Sequence, residues 1–239
     1  MGDEVNFSVP TGNFGDILAG FLAKKLGLPV GRLLCASNAN NVLTDFIHTG
    51  IYDRKRALLK TQSPSMDILV SSNLERLLYL LSGDADLVAG LMTKLNTEGS
   101  YRVPEALLAE IQSQFAAGCC DDARAREAIG RVWREQTYLM DPHTAAGWVA
   151  AEDYVNQTDD ERPMVVLSTA SAYKFPSAVL EALGVAGKED EFDRMEQLQT
   201  ITAVPIPENL RTLREKTERH TGVIEKEEML SFVLTQCGV

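Results

Sequence analysis

The run Val5-Asn6-Phe7-Ser8-Val9 is short and apolar, breaks at Pro10, and passes through Thr11-Gly12-Asn13-Phe14-Gly15-Asp16 into an amphipathic helix. A strand that ends in a glycine-bracketed loop at a helix N-terminus brings backbone N–H groups to one point, and such a loop binds an anion without any lysine in it. Asp16 is expected to cap the helix, whose Ile17, Leu18, Phe21, Leu22 and Leu26 share one face while Lys24 and Lys25 fall on the wet side. Gly27 stops the helix, Pro29 prevents its return, and Arg32 to Ala36 reads as a second strand. Strand, helix and strand within this length form a βαβ crossover, which requires parallel pairing. The chain is thereby restricted to the α/β class: a parallel sheet flanked by many helices.

Beyond the crossover, helices dominate. Ser72-Asn73-Leu74-Glu75 reads as a capping box ahead of the stripe Leu74, Leu77, Leu78, Leu81. Pro104 opens a helix carrying Leu107, Leu108 and Ile111, and Ala125, Ala128, Ile129, Val132 and Trp133 form another stripe. Asp141-Pro142 is a cap followed by a first-turn proline, opening a helix through Trp148 to Val155. Met164 to Leu167 reads as a third buried strand, Phe175-Pro176-Ser177 restarts a helix, and a last helix runs from about Glu225 to Cys237. No repeat or low-complexity tract interrupts residues 1–239, which read as one α/β domain. Three strands are few for so many helices, so further strands are expected upstream of residue 1.

Charge and cysteine content narrow the partners. The formal charge of −11 argues against nonspecific binding to nucleic acid or to an anionic membrane. No apolar stretch approaches the roughly 20 residues that span a bilayer. The four cysteines, Cys35, Cys119, Cys120 and Cys237, form no Cys-x-x-Cys pair, and there are three histidines. No metal site is expected, and reduced thiols in a cytoplasmic protein are.

In the opening loop, Gly12 and Gly15 can adopt positive φ and allow close backbone approach, and the N–H groups of Asn13, Phe14 and Gly15 can point at one oxyanion. A phosphate monoester fits better than a pyrophosphate, because neither Gly-x-Gly-x-x-Gly nor a Gly-Lys-Ser/Thr ending is present. On glycine spacing alone, a plain strand-to-helix turn accounts for the loop equally well.

The wider sequence carries more. Val9-Pro10-Thr11-Gly12-Asn13-Phe14-Gly15-Asp16 resembles the cofactor-phosphate loop of threonine synthases, which are fold-type II pyridoxal-phosphate enzymes. The resemblance continues in order through Ala36-Ser37-Asn38-Ala39-Asn40-Asn41, Ser65-Met66-Asp67-Ile68-Leu69-Val70-Ser71-Ser72-Asn73, Asp141-Pro142-His143-Thr144-Ala145 and Val166-Leu167-Ser168-Thr169-Ala170 to Pro176. It implies a family reaction that converts O-phosphohomoserine and water to threonine and phosphate, with pyridoxal 5'-phosphate as electron sink. It implies that Gly12, Asn13, Phe14 and Gly15 hold the cofactor phosphate and that the Thr169 hydroxyl meets the pyridine nitrogen, a neutral partner that leaves this nitrogen less protonated. Asn38 and Asn40 end a strand where open α/β sheets place ligands, and equally fit an asparagine-rich turn. Lys174 either meets a substrate phosphate or is a solvated surface lysine. His143 resembles a recurrent family position and is expected to serve capping and packing. Where the family often has histidine-proline-alanine, this chain has Ser171-Ala172-Tyr173.

The family's Schiff-base lysine lies in a phenylalanine-lysine-aspartate setting that does not occur in these residues. The chain therefore resembles only the C-terminal portion of a threonine synthase, with no catalytic residue of its own, no activity alone and weak cofactor binding. Either self-association through an uncovered sheet face or a rearranged edge is expected. A threonine-synthase-like phospho-lyase, a noncatalytic phosphate-binding or interaction module and a mononucleotide-binding protein remain as alternative readings. The last is disfavoured because no ribose-binding acid follows the loop at the usual spacing.

Overall fold

Strand β1 (Val5–Pro10) lies inside a four-stranded sheet, so its side chains are buried on both faces along most of its length. The computed structural model describes residues 2–239. Along the chain follow α1 (Gly15–Lys25), β2 (Val30–Ser37), α2 (Val42–Thr49), β3 (Ile51–Asp53), α3 (Leu74–Ser82), α4 (Ala85–Glu98), β4 (Ser100–Arg102), α5 (Glu105–Gln114), β5 (Phe115–Cys119), α6 (Asp122–Gln136), α7 (Pro142–Gln157), β6 (Met164–Val166), α8 (Pro176–Ala182), α9 (Glu191–Thr202), α10 (Glu208–Arg211) and α11 (Met229–Cys237).

The sheet order is β5-β2-β1-β6, parallel throughout, with Pro10 opposite Ala36, Ser8 opposite Val166 and Ser37 opposite Cys119. This register brings all four carboxyl ends to one edge, where open parallel sheets bind ligands. Alternation along β2 divides the core in two. Leu33 and Cys35 join Ile17, Phe21, Phe46 and Phe115 on one face, and Leu34 and Ala36 meet Ala150 and Ala151 of α7 on the other. Helix α7 packs this closely because its sheet-facing residues are small. A Cβ on Gly147 would lie 3.0 Å from Pro10 Cγ, and the Gly147 carbonyl accepts a 2.7 Å bond from Ser8 Oγ. β3 and β4 form a separate antiparallel pair in which Tyr52 and Tyr101 stack with ring centroids 5.3 Å apart.

Several expectations are corrected. The βαβ crossover stands, but the sheet has a fourth strand, β5, within the chain. β6 is not a buried strand: it is an edge strand, and Val165 on it is 42% exposed. Asp16 does not cap α1. Phe14 is the N-cap residue without a side-chain bond, and Asp16 sits in the first turn. The Ser72 capping box is also absent, since α3 starts after Asn73 with no side-chain cap. The Asp141 cap is present, accepting from the N–H groups of His143 and Thr144.

The chain divides into two compact units, one ending at Pro205 and one from Ile206 to Val239. The second contains α10 and α11. A capping box between Glu225 and Glu228 precedes α11, whose Met229, Leu230, Phe232, Val233 and Leu234 are all exposed.

Candidate anion and cofactor site

The loop between β1 and α1 contains a strained residue, and it is not a glycine. Phe14 has φ 65° and ψ 13°, the left-handed region, whereas neither Gly12 nor Gly15 takes a positive φ. For a bulky residue this conformation costs about 1–3 kcal/mol and persists only where the surroundings impose it. The ring imposes it here: Phe14 is buried, with its centroid 5.6 Å from that of Phe115 on β5. Gly12 is glycine because the backbone approaches closely there. A Cβ there would lie 2.9 Å from the Ser65 carbonyl oxygen and 3.2 Å from Met66 Cα.

The segment 65–73 holds the loop from behind. Ser71 Oγ donates to the Gly12 carbonyl at 2.9 Å, and the Asn13 carbonyl accepts from the Asn73 backbone N–H at 3.0 Å and from Asn73 Nδ2 at 2.8 Å. In a trans peptide the C=O and the following N–H point opposite ways. Anchoring the Gly12 and Asn13 carbonyls inward therefore turns the N–H groups of Asn13 and Phe14 outward. Among the described residues no acceptor takes either one. The Gly15 N–H, expected to join them, instead donates to Asn13 Oδ1 at 3.0 Å. Two N–H groups beside the positive end of α1 thus have no protein acceptor among the described residues.

Thr169 lies three residues beyond β6. Ser8 pairs with Val166, and the Leu167 N–H donates to the Ser8 carbonyl at 2.9 Å, so the chain leaves β6 beside the end of β1. The loop and Thr169, which is exposed, share the carboxyl edge of adjacent strands.

Asn38 and Asn40 reach the same edge at the end of β2, but both amides are consumed internally. Asn38 Nδ2 donates to Thr61 Oγ1 and Asp67 Oδ1 at 2.8 Å each, and its Oδ1 accepts from the Asn40 N–H at 2.9 Å. Asn40 exchanges 2.9 Å bonds with the Leu59 carbonyl and N–H. These asparagines clamp the segment 59–67. Lys174 is exposed, with Nζ 5.9 Å from the Phe175 ring centroid. His143 is buried and bonded on both ring nitrogens, to Asp141 at 2.8 Å and to the Ser65 N–H at 3.2 Å.

Sequence reasoning passed over Ser71 and Asn73 as loop braces. The stretch Ser65–Asn73 was legible as a motif, but not the inward hydrogen bonds that its polar side chains make.

Burial disfavours the thiolate form of two cysteines in the sheet region. Burial pushes the Cys35 thiol up to about 12 against a smaller opposing bond from Thr11, and burial likewise pushes Cys120 up to about 12, so neither forms a thiolate near neutrality. Among the described residues no cluster of His, Cys, Asp or Glu is arranged to hold a metal. Two clefts, of about 450 and 330 Å³, flank β6 and share Trp148, Met164 and Val166; the first is also lined by residues of α6 and the second by further residues of α7. Neither is lined by the loop or by Thr169.

A parallel sheet whose first strand enters a strained loop at a helix N-terminus, with a threonine leaving the neighbouring strand, defines part of the large domain of a fold-type II pyridoxal-phosphate enzyme. The chain belongs to the threonine synthase family and corresponds to the C-terminal portion of those proteins. Residues 144–233 match the family model "Threonine synthase, C-terminal". The threonine synthase of Pseudomonas aeruginosa is 44% identical over 75% of this chain and 38% of its own length, and human threonine synthase-like 1 is 42% identical over 77% of this chain and 25% of its own length. The crystal structure of pyridoxal-phosphate-bound threonine synthase from Brucella melitensis is 42% identical, with a TM-score of 0.73 over 81% of this chain and 41% of that one. The yeast enzyme aligns with a TM-score of 0.78 at 32% identity over 90% of this chain and 43% of that one. The chain spans about a quarter to two-fifths of the length of these relatives.

Proposed function

We propose that this chain supplies the phosphate-holding and ring-nitrogen part of a threonine synthase site. The observation that carries the reading is the left-handed backbone of Phe14, a strain maintained by the buried ring while the unpaired N–H groups of Asn13 and Phe14 face outward. In this reading Gly12 lets the loop lie against Ser65, Asn13 and Phe14 donate to the phosphate oxygens, and Gly15 opens the helix whose dipole favours the negative charge. The Thr169 hydroxyl orients the pyridine ring from the adjacent strand. Pyridoxal phosphate, when bound, supplies the electron sink for proton removal and phosphate elimination from O-phosphohomoserine.

The residues present fit the phosphate and the ring nitrogen. None of the lysines sits in the setting that would hold the aldehyde, so this polypeptide by itself is expected to release no phosphate from O-phosphohomoserine and to bind the cofactor weakly. Calorimetric titration with inorganic phosphate and with 4'-deoxypyridoxine 5'-phosphate, which lacks the aldehyde, tests the binding. Saturable binding to the native chain that is lost in Gly12→Ala supports the reading; binding unaffected by that substitution would end it. Phosphate release from O-phosphohomoserine by this chain would overturn the expected inactivity.

The proposal extends to partners and place. No described helix is long and apolar enough to cross a membrane. Unpaired cysteines support a cytoplasmic location, and the −11 charge supports the absence of nucleic-acid partners. The edge position of β6 and the exposure of Val165 support association with a second copy through that edge.

A further inference from the structure

The Asp141 carboxylate is 1% exposed, and its two oxygens lead to different parts of the candidate site. Oδ1 accepts the His143 backbone N–H and lies 2.8 Å from His143 Nδ1. A carboxylate only accepts, so Nδ1 carries a hydrogen, and the Ser65 N–H that points at Nε2 requires the lone pair there. That lone pair takes the Ser65 N–H at 3.2 Å, and the Ser65 carbonyl is the atom against which Gly12 packs. Oδ2 accepts from the Thr144 hydroxyl, whose oxygen is 3.5 Å from Ser168 Oγ, next to Thr169. Burial alone would raise the Asp141 pKa; the bonds from His143 and Thr144 outweigh it and hold the carboxyl below its usual range.

We propose that Asp141 is a positioning residue for the candidate site: through His143 it sets Ser65 and hence the 12–15 loop, and through Thr144 it sets Ser168 and hence Thr169. Both proposed cofactor contacts are then referred to one buried carboxylate. A helix cap alone would not need this arrangement, since an asparagine caps equally well. The inference rests on the proposed roles of the loop and Thr169.

Backbone amide NMR of the ligand-free chain tests it. Asp141→Asn keeps a capping oxygen but loses the charge and one acceptor, and is expected to shift the signals of both Gly12–Gly15 and Ser168–Thr169. Thr144→Val should shift only the second group. His143→Asn retains a link to Asp141 but loses the Nε2 acceptor, and should shift only Ser65 and the loop. His143→Gln places an amide oxygen near the lost Nε2 and should restore the loop signals. Phosphate affinity should fall about tenfold in His143→Asn, the loss of one buried hydrogen bond, and recover in His143→Gln. Shifts confined to residues 141–145 in Asp141→Asn, or identical behaviour of the two His143 variants, would overturn the proposal. If Asp141→Asn does not fold, the His143 and Thr144 variants decide it. A native chain without phosphate affinity but with the two-armed pattern of shifts would discard the anion-site reading and leave the coupling standing.

Discussion

Phe14 shows how the loop is made. Its backbone is left-handed because its ring is buried against Phe115, and its N–H faces outward because Asn73 holds the preceding carbonyl. Close approach is the reason for the glycine at position 12, where substitution to alanine drives a Cβ into the Ser65 carbonyl. Gly12→Ala should destabilise the chain by about 1–3 kcal/mol, the usual scale for overpacking, measured by denaturant unfolding. Asp141 gives a pH prediction. Its folded pKa is depressed, so its stabilisation is fully present above the ordinary aspartate value of about 4 and is lost as pH falls through the folded value. The difference in unfolding free energy between the native chain and Asp141→Asn should be constant from pH 7 to 5 and shrink below about pH 4. A difference that grows on acidification would contradict the depressed pKa.

At the scale of elements, the crossover from β1 through α1 to β2 was legible because the periodicity changes from strand to helix and back, with Gly27 and Pro29 marking the end of the helix. β5 was not. Phe115-Ala116-Ala117-Gly118-Cys119 follows α5 without an intervening turn, and its small residues carry no alternation. They are small because α7 crosses them closely: a Cβ on Gly118 would lie 3.1 Å from Ala150 Cβ. The location of the anion loop was legible for the same reason as the crossover. The residue that takes the left-handed backbone was not, because a partner about 100 positions away on the unrecognised β5 imposes it. Asn38 and Asn40 showed their place in the sheet but not their bonding, which depends on the return of residues 59–67. Phe115→Ala should cost about 3–5 kcal/mol and raise amide exchange at Gly15, whose N–H is bonded to Asn13 Oδ1, because it removes the ring that Phe14 and Phe21 both contact. Exchange unchanged at the loop would show that Phe115 does not maintain its strain.

For the whole molecule, the open edge at β6 sets the expectation. Val165 faces outward on a strand paired on one side only, and Trp148, Met164 and Val166 line the clefts beside it. Sedimentation should show concentration-dependent dimers, and Val165→Lys should return the chain to monomer by placing a charge on that edge. A monomer at every concentration would contradict association through β6. The central claim concerns the carboxyl ends of β1 and β6. It is tested most directly by the crystal structure of this chain soaked with 4'-deoxypyridoxine 5'-phosphate. The account predicts a phosphate within hydrogen-bonding distance of the Asn13 and Phe14 N–H groups, with the ring nitrogen at the Thr169 hydroxyl. A phosphate bound elsewhere, or a loop left empty at saturating ligand, would contradict it.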